Sequence, residues 1–348
     1  MKKSQTYILI GCTLFSLALI FTAYALSPIG KEVKRMSFER NFSKQLQKIG
    51  TLDLHYNSFY IAGISKNRFY LANYSSPFSL LTSDFSCKDT AINFIKPLID
   101  SLIDPLKFRC VVDSPYIYHA NGSMPEILRS QLGKWRAQHY LDTLNYFADV
   151  RPLSNESVIY KAYSPQTESY ELAIKRNGES FQYNIDLLQK QIDGLFCVDG
   201  QIHVNKSRNE VVYVSYYKNE FIVADTNLAL KFRSHTIDTF SRALVKVARI
   251  EKEKSSILAQ PPTRLNKISC TSQNLLFINS PLLSQNEDID SFKKSSIIDV
   301  YNLTTGKYLS SLRIPRHMQQ PVNDFRIINN YLIALYDHII ITYSIPTN

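Results

Sequence analysis

An all-β fold of six repeated antiparallel units is predicted by three features of the 348-residue sequence. The first is a pair of short apolar strands that recurs along the chain. The leading members are Arg68–Asn73, Pro115–Asn121, Ser157–Tyr163, Val211–Tyr217, Asn274–Ser280 and Tyr331–Asp337, whose starts lie 47, 42, 54, 63 and 57 residues apart. Their partners start at Phe78, Pro125, Tyr170, Phe221, Ser296 and His338. The second feature is composition: 22 Tyr and 19 Phe within a 45% hydrophobic chain suit half-buried pleated surfaces. The third is a single uncharged apolar run, Tyr7–Leu26, long enough to cross a bilayer as a helix. A four-stranded meander at this interval is the unit of a β-propeller. The expected architecture is therefore a six-bladed β-propeller of four-stranded antiparallel blades, preceded by one N-terminal transmembrane helix.

The fourth unit shows the plan most plainly. Residues 199–238 parse into strands Gln201–Asn205, Val211–Tyr217, Phe221–Asp225 and Leu230–Ile237, joined by short polar turns. Val212, Val214 and Tyr216 alternate with Tyr213, Ser215 and Tyr217, as a strand packed on both faces requires. Blade one covers about residues 60–95. Blade two starts near Phe108, with an ill-defined outer strand near Trp135–Leu141, and blade three starts near Tyr146. Blade five starts near Asn266 and uses Thr304-Thr305-Gly306 to join its last two strands. Blade six supplies only three strands of its own. Because a closed ring leaves no exposed sheet edge, Thr51–Tyr56 is expected to complete it from the other end of the chain.

In strand order and in turn phrases such as Asp299–Pro315 (DVYNLTTGKYLSSLRIP), residues 52–346 resemble the six-bladed propeller superfamily of NHL-repeat and TolB-like proteins. The resemblance is nearest to bacterial envelope members with an N-terminal anchor and no assigned activity. The Gly-rich NHL core, the YWTD motif, the WD dipeptide and the paired glycines of kelch blades are missing, so no functional residue is carried over.

The N-terminal run fits three readings. It is a signal-anchor, or a cleaved signal peptide ending at Ala23-Tyr24-Ala25, or a lipoprotein signal with Cys12 as the lipidated residue. Few apolar residues precede Cys12, and the run stays apolar after it. Its length and the Lys31, Lys34 and Arg35 that follow favour the anchor. The expected division is a signal-anchor at 1–26, a juxtamembrane linker at 27–50 and the propeller at 51–348. The propeller then faces the periplasm of an envelope whose inner membrane holds the anchor, with secretion after cleavage as the alternative.

Forty Lys+Arg against 30 Asp+Glu make the chain basic, but the excess is spread thinly and no nucleic-acid motif accompanies it. Such a surface suits anionic lipid or a cell-wall polymer. Cys87, Cys110, Cys197 and Cys270 are even in number and could form two disulfides outside the cytoplasm. Cys110, Cys197 and Cys270, however, sit in apolar segments opening different blades, which predicts reduced core residues.

Catalytic signatures are sparse. Asp113, Asp149, Asp199 and Asp324 lie near opening strands, where a propeller hydrolase would hold a metal ion at the channel mouth. For Asp113 and Asp199 an Asx turn is the expected explanation instead. The seven His residues show no metal-binding spacing, and neither GxSxG nor HExxH occurs. His203 reads as a satisfied blade residue, and the acidic run Asn286–Asp290 as a solvated loop. Catalytic residues are unassigned, and no metal or cofactor is expected. Six Asn-x-Ser/Thr matches (Asn41, Asn73, Asn121, Asn155, Asn205 and Asn302) are what an Asn- and Ser-rich chain produces by chance.

Two long insertions, Thr239–Arg264 and Leu282–Ser295, should open on the same propeller face. The expected function is non-catalytic binding of an envelope protein or a cell-surface polymer through this face. The alternatives are a metal-dependent hydrolase or lactonase at the channel mouth and a structural subunit of a larger membrane complex.

Overall fold

The computed structural model describes residues 3–26, 34–43, 45–98, 104–141, 145–250 and 255–346. It divides into an N-terminal unit, Met1–Arg35, and a second unit, Met36–Asn348.

The first unit is a helix, Lys3–Leu26, with no charge after Lys3. Its window Tyr7–Tyr24 is fully exposed and, by length and composition, long and apolar enough to cross a membrane, a property that signal sequences share. Thr13, Ser16 and Thr22 donate their hydroxyls to carbonyls four residues back, which suits an environment without water.

The second unit is a six-bladed β-propeller. Blade one is Phe59–Ile64, Arg68–Asn73, Ser76–Asp84 and Thr90–Phe94. Blade two is Arg109–Asp113, Tyr116–Asn121, Glu126–Gln131 and Arg136–His139, the last also flanked in parallel by Lys96–Pro97. Blade three is Phe147–Ser154, Ser157–Ser164, Ser169–Arg176 and Gln182–Asn184. Blade four is Gly200–Asn205, Glu210–Ser215, Glu220–Asp225 and Leu230–His235. Blade five is Ser269–Ser272, Leu275–Ser280, Ser295–Asn302 and Tyr308–Pro315. Blade six contributes Asp324–Ile328, Tyr331–Tyr336 and Ile339–Ser344. Its outermost strand is Gln47–Asp53, paired antiparallel to Ile339–Ser344. The expected closure from the N-terminal side is thus present, with the strand starting four residues earlier than Thr51.

The reason the middle strands are apolar throughout is visible in the cores. Val211 and Tyr213 pack with Ile159, Leu172 and Ile174 of blade three, while Val212 and Val214 pack with Leu276, Ile278 and Tyr301 of blade five. Adjacent residues of one strand therefore serve opposite interfaces, and an apolar side chain is needed at every position. Further clusters join blades one and two, two and three, five and six, and six and one, so each neighbouring pair has its own core. The Thr304-Thr305-Gly306 turn ends on Gly306 at φ +69°, a left-handed conformation that glycine adopts without strain.

Residues 36–43 do not behave as a linker. Met36 donates to the Leu283 carbonyl, Gln285 to that of Phe38, and Phe42 bridges in parallel to Ser311 on the outer strand of blade five. Arg40 is buried here, 2% exposed, and is anchored by Glu287 and Asp299. The expected solvated loop at Asn286–Asp290 is exposed at four of its five residues and is corrected only at Glu287. Glu287 is 1% exposed, and Asp288 caps the short helix Ile289–Lys293. Charge alone suggests solvent for Arg40 and Glu287, and their pairing across the chain offsets the cost of burying them.

Candidate functional site

The first strands of all six blades surround a central channel that widens into a cavity of about 950 Å³. Two of these strands carry the same local arrangement, Asp149-Val150-Arg151 in blade three and Asp324-Phe325-Arg326 in blade six, three blades apart around the ring. In each, the carboxylate Oδ1 accepts the next residue's N–H at 2.9 Å. In each, the arginine Nη1 forms an ion pair with that Oδ1, at 2.7 and 2.5 Å, and donates to the carbonyl of the intervening residue, at 2.8 and 2.7 Å. The ion pair with the adjacent carboxylate and the hydrogen bond to the carbonyl hold each guanidinium on its own strand. Burial is the largest effect and opposes the Arg326 charge, but Asp324, Cys270 and Asp149 together outweigh it, so its pKa is raised.

The remaining candidate carboxylates are also paired. Asp113 does not form an Asx turn; it meets Lys206, joining the first hairpins of blades two and four. Asp199 accepts the Gly200 N–H and pairs with Lys161 of blade three. All four carboxylates flagged by the sequence therefore sit near the inner strands, each with its own cation. Among the described residues, no three His, Cys, Asp or Glu side chains converge in a way that could hold a metal ion.

His203 reaches the cavity from blade four. Its Nε2 is 2.7 Å from Ser269 Oγ, which in turn donates to Gln201 Oε1 at 2.6 Å. Burial, followed by the charges of Arg151 and Arg326, pushes the His203 pKa well down, which keeps the ring neutral. Its reading as a hydrogen-bonded blade residue holds, with the added fact that it faces the channel. Arg264 stacks on Tyr216, 4.4 Å from its centroid, and Lys267, whose pKa is lowered by burial and by Arg316, stands beside it in the lining.

Antiparallel alternation puts second-to-third strand connections and blade-to-blade connections on one face. Both long insertions open on it. Tyr217, Leu258, Pro262 and Pro281 line a second cleft of about 590 Å³. The Thr239–Arg264 insertion is a built element: Val247–Ile250 pairs with Ser255–Leu258, and Ala243 and Val245 are buried against blades three and four. Residues 251–254 of the charged patch Arg249–Lys254 lie outside the described residues.

No family model matches the chain, and neither does any curated protein. Among solved structures it is similar to virginiamycin B lyase from Staphylococcus aureus, at 8% identity and a TM-score of 0.48, covering 87% of this chain and 99% of that one. It is also similar to BamB from Moraxella catarrhalis, at 10% identity and a TM-score of 0.42, covering 88% and 99%. A member of the DUF4221 family from Bacteroides vulgatus gives 10% identity and a TM-score of 0.48 over 89% and 98%. At these identities the likeness concerns the path of the chain alone.

The arginines of the channel escaped sequence reasoning, which attended to the carboxylates. A signal was present: Asp-x-Arg stands at the opening of two blades, DVR at 149–151 and DFR at 324–326. Arg40 had no such signal, because its partners lie more than 240 residues away.

Proposed function

We propose that the chain is a non-catalytic binding or scaffold protein of the bacterial cell envelope. The Lys3–Leu26 helix tethers it in the inner membrane, the propeller lies in the periplasm, and the insertion-bearing face binds an envelope protein or a surface polymer. The observation that carries this reading is the cleft beside the insertion between blades four and five, where Leu258, Pro262, Arg264 and Lys267 stand over Tyr217 and Pro281 on a rigid ring. The pairing of Asp113, Asp149, Asp199 and Asp324 with Lys206, Arg151, Lys161 and Arg326 weighs against a metal-dependent hydrolase. A hard cation needs several oxygens released from those partners at once.

The test replaces the hairpin 247–258 by an Asn-Gly turn and compares membrane cross-linking and polymer co-sedimentation with the wild type. The insertion at 282–295 must stay, since Glu287 holds Arg40. Loss of a captured species with an intact fold supports the reading, and an unchanged set of interactions overturns it. Elemental analysis of the purified protein decides the rival: one Ca or Zn per chain would favour the hydrolase.

A further inference from the structure

The two Asp-x-Arg units leave part of each arginine unused. Arg151 and Arg326 both donate through Nη1 to their own strand, and neither Nε nor Nη2 of either residue has a protein acceptor among the described residues. Both side chains line the cavity, at 31% and 28% exposure. They come from blades on opposite sides of the ring. Both charges nevertheless act on His203, and Asp149 acts on Arg326, so the two units share one enclosure.

A guanidinium with Nε and Nη2 free presents two parallel donors that match the two oxygens of a carboxylate or phosphoryl group. Its own aspartate fixes the plane of the fork, so little ordering remains to be done on binding. The wall between the forks is neutral, because His203 is held uncharged and Ser269 and Gln201 are engaged with each other. Arg264 and Lys267, which also line the cavity, have no carboxylate partner among the described residues, so the enclosure keeps an excess of positive charge. A volume of about 950 Å³ exceeds that of a single inorganic ion and suits a small organic molecule.

We propose that the central channel is a binding site for a small organic dianion, with Arg151 and Arg326 each gripping one acidic group from opposite walls. This site is separate from the insertion cleft and does not depend on what that cleft binds. Carboxylates and phosphoryl groups share the required chemistry, and the choice of probe distinguishes them.

The experiment is calorimetric titration of the purified full-length chain at matched ionic strength. The probes are malonate, succinate, glutarate, adipate, inorganic phosphate and pyrophosphate, with acetate as the monoanion. The expected result is one saturable site per chain for at least one dianion, with acetate at least about tenfold weaker for want of a second charge-assisted pair. Preference for a dicarboxylate of one chain length assigns a carboxylate ligand, and preference for pyrophosphate a phosphoryl one. Arg151→Gln and Arg326→Gln should each weaken binding at least about tenfold. Arg326→Lys, which retains charge and fold but removes the fork, should weaken it as well. Absence of saturable binding by every probe in the wild type, or binding that survives all three substitutions, overturns the proposal.

Discussion

Arg40 and Asp299, 259 residues apart in sequence, face each other as a two-pronged ion pair, with Nε to Oδ1 at 2.7 Å and Nη2 to Oδ2 at 3.0 Å. Arg40 Nη1 also donates to Glu287 Oε2 at 3.1 Å and to the Leu282 carbonyl at 2.7 Å, and Ser311 donates to Asp299 at 2.6 Å. The side chains of Arg40, Glu287 and Asp299 are 0%, 0% and 3% exposed, so water cannot compensate for any missing member. Asp299 and Glu287 outweigh the burial that opposes the guanidinium charge and hold the Arg40 pKa above its usual value.

Removing Arg40 strands Asp299 in the interior and leaves Glu287 paired with Arg313. Arg40→Met is expected to cost about 3–5 kcal/mol of unfolding free energy, and Arg40→Lys less, because it keeps the charge and loses the fork. Urea denaturation measures both. An Arg40→Met protein as stable as wild type would mean that residues 36–43 are not docked as described.

The closing strand makes a separate prediction. Chains starting at Gln45 keep Gln47–Asp53 but lose Arg40, and chains starting at Asn57 lose both. The first should stay monomeric with reduced stability. The second should expose the free edge of Ile339–Ser344 and associate or aggregate, as light scattering on a sizing column would report. A monomeric, fully stable chain from Asn57 would show that the ring does not need this strand.

His119 gives a pH dependence. It is 0% exposed, stacks on Phe78 with centroids 4.4 Å apart, and bonds the Pro77 carbonyl through Nε2 at 3.1 Å. Burial lowers its pKa from the ordinary 6.5 to about 4, against a smaller opposing effect of the Pro77 bond. The unfolded chain therefore binds more protons between these values, and stability present above pH 6.5 is lost as pH falls towards 4. The loss from this residue alone is of the order of 3 kcal/mol. His203 shifts in the same direction. A His119→Leu variant should flatten the stability profile between pH 7 and 4.5 relative to wild type, and an unaltered profile would place the acid sensitivity elsewhere.

Thiol labelling tests the core cysteines. None of the five cysteines is in a disulfide, and Cys110, Cys197 and Cys270 are buried. Burial pushes the Cys110 thiol far up and that of Cys270 up to about 12, and Cys197 lies under the Asp193 carbonyl. Iodoacetamide should leave these three unmodified in the native protein and label them in urea, as peptide mass spectrometry would show. Native labelling at Cys110 would contradict the packing of blades one and two.

The blades were legible because their chemistry is local. An apolar strand such as Val211–Val214, ended by short polar turns, carries its own signal, and so does the three-strand deficit of blade six. Contacts between distant segments were not legible. The 27–50 segment reads as a polar linker until Arg40 is seen inside blade five, and Asn286–Asp290 reads as a loop until Glu287 is seen to receive it. At the channel, position was legible and pairing was not. Asp113 and Lys206 meet because two hairpins of different blades lean together, a fact that no spacing along the chain encodes.

The order of the strands sets a timetable for synthesis. Gln47–Asp53 leaves the ribosome before any blade exists, and its partner, Ile339–Ser344, emerges almost last. At usual elongation rates of about 5–20 residues per second, the nascent strand waits roughly 15–60 s with its backbone unsatisfied. Arg40 waits nearly as long for Asp299. Until the final blade arrives the ring is an open arc with two reactive ends, so closure of this propeller is a single late event in which its two outermost strands in sequence find each other.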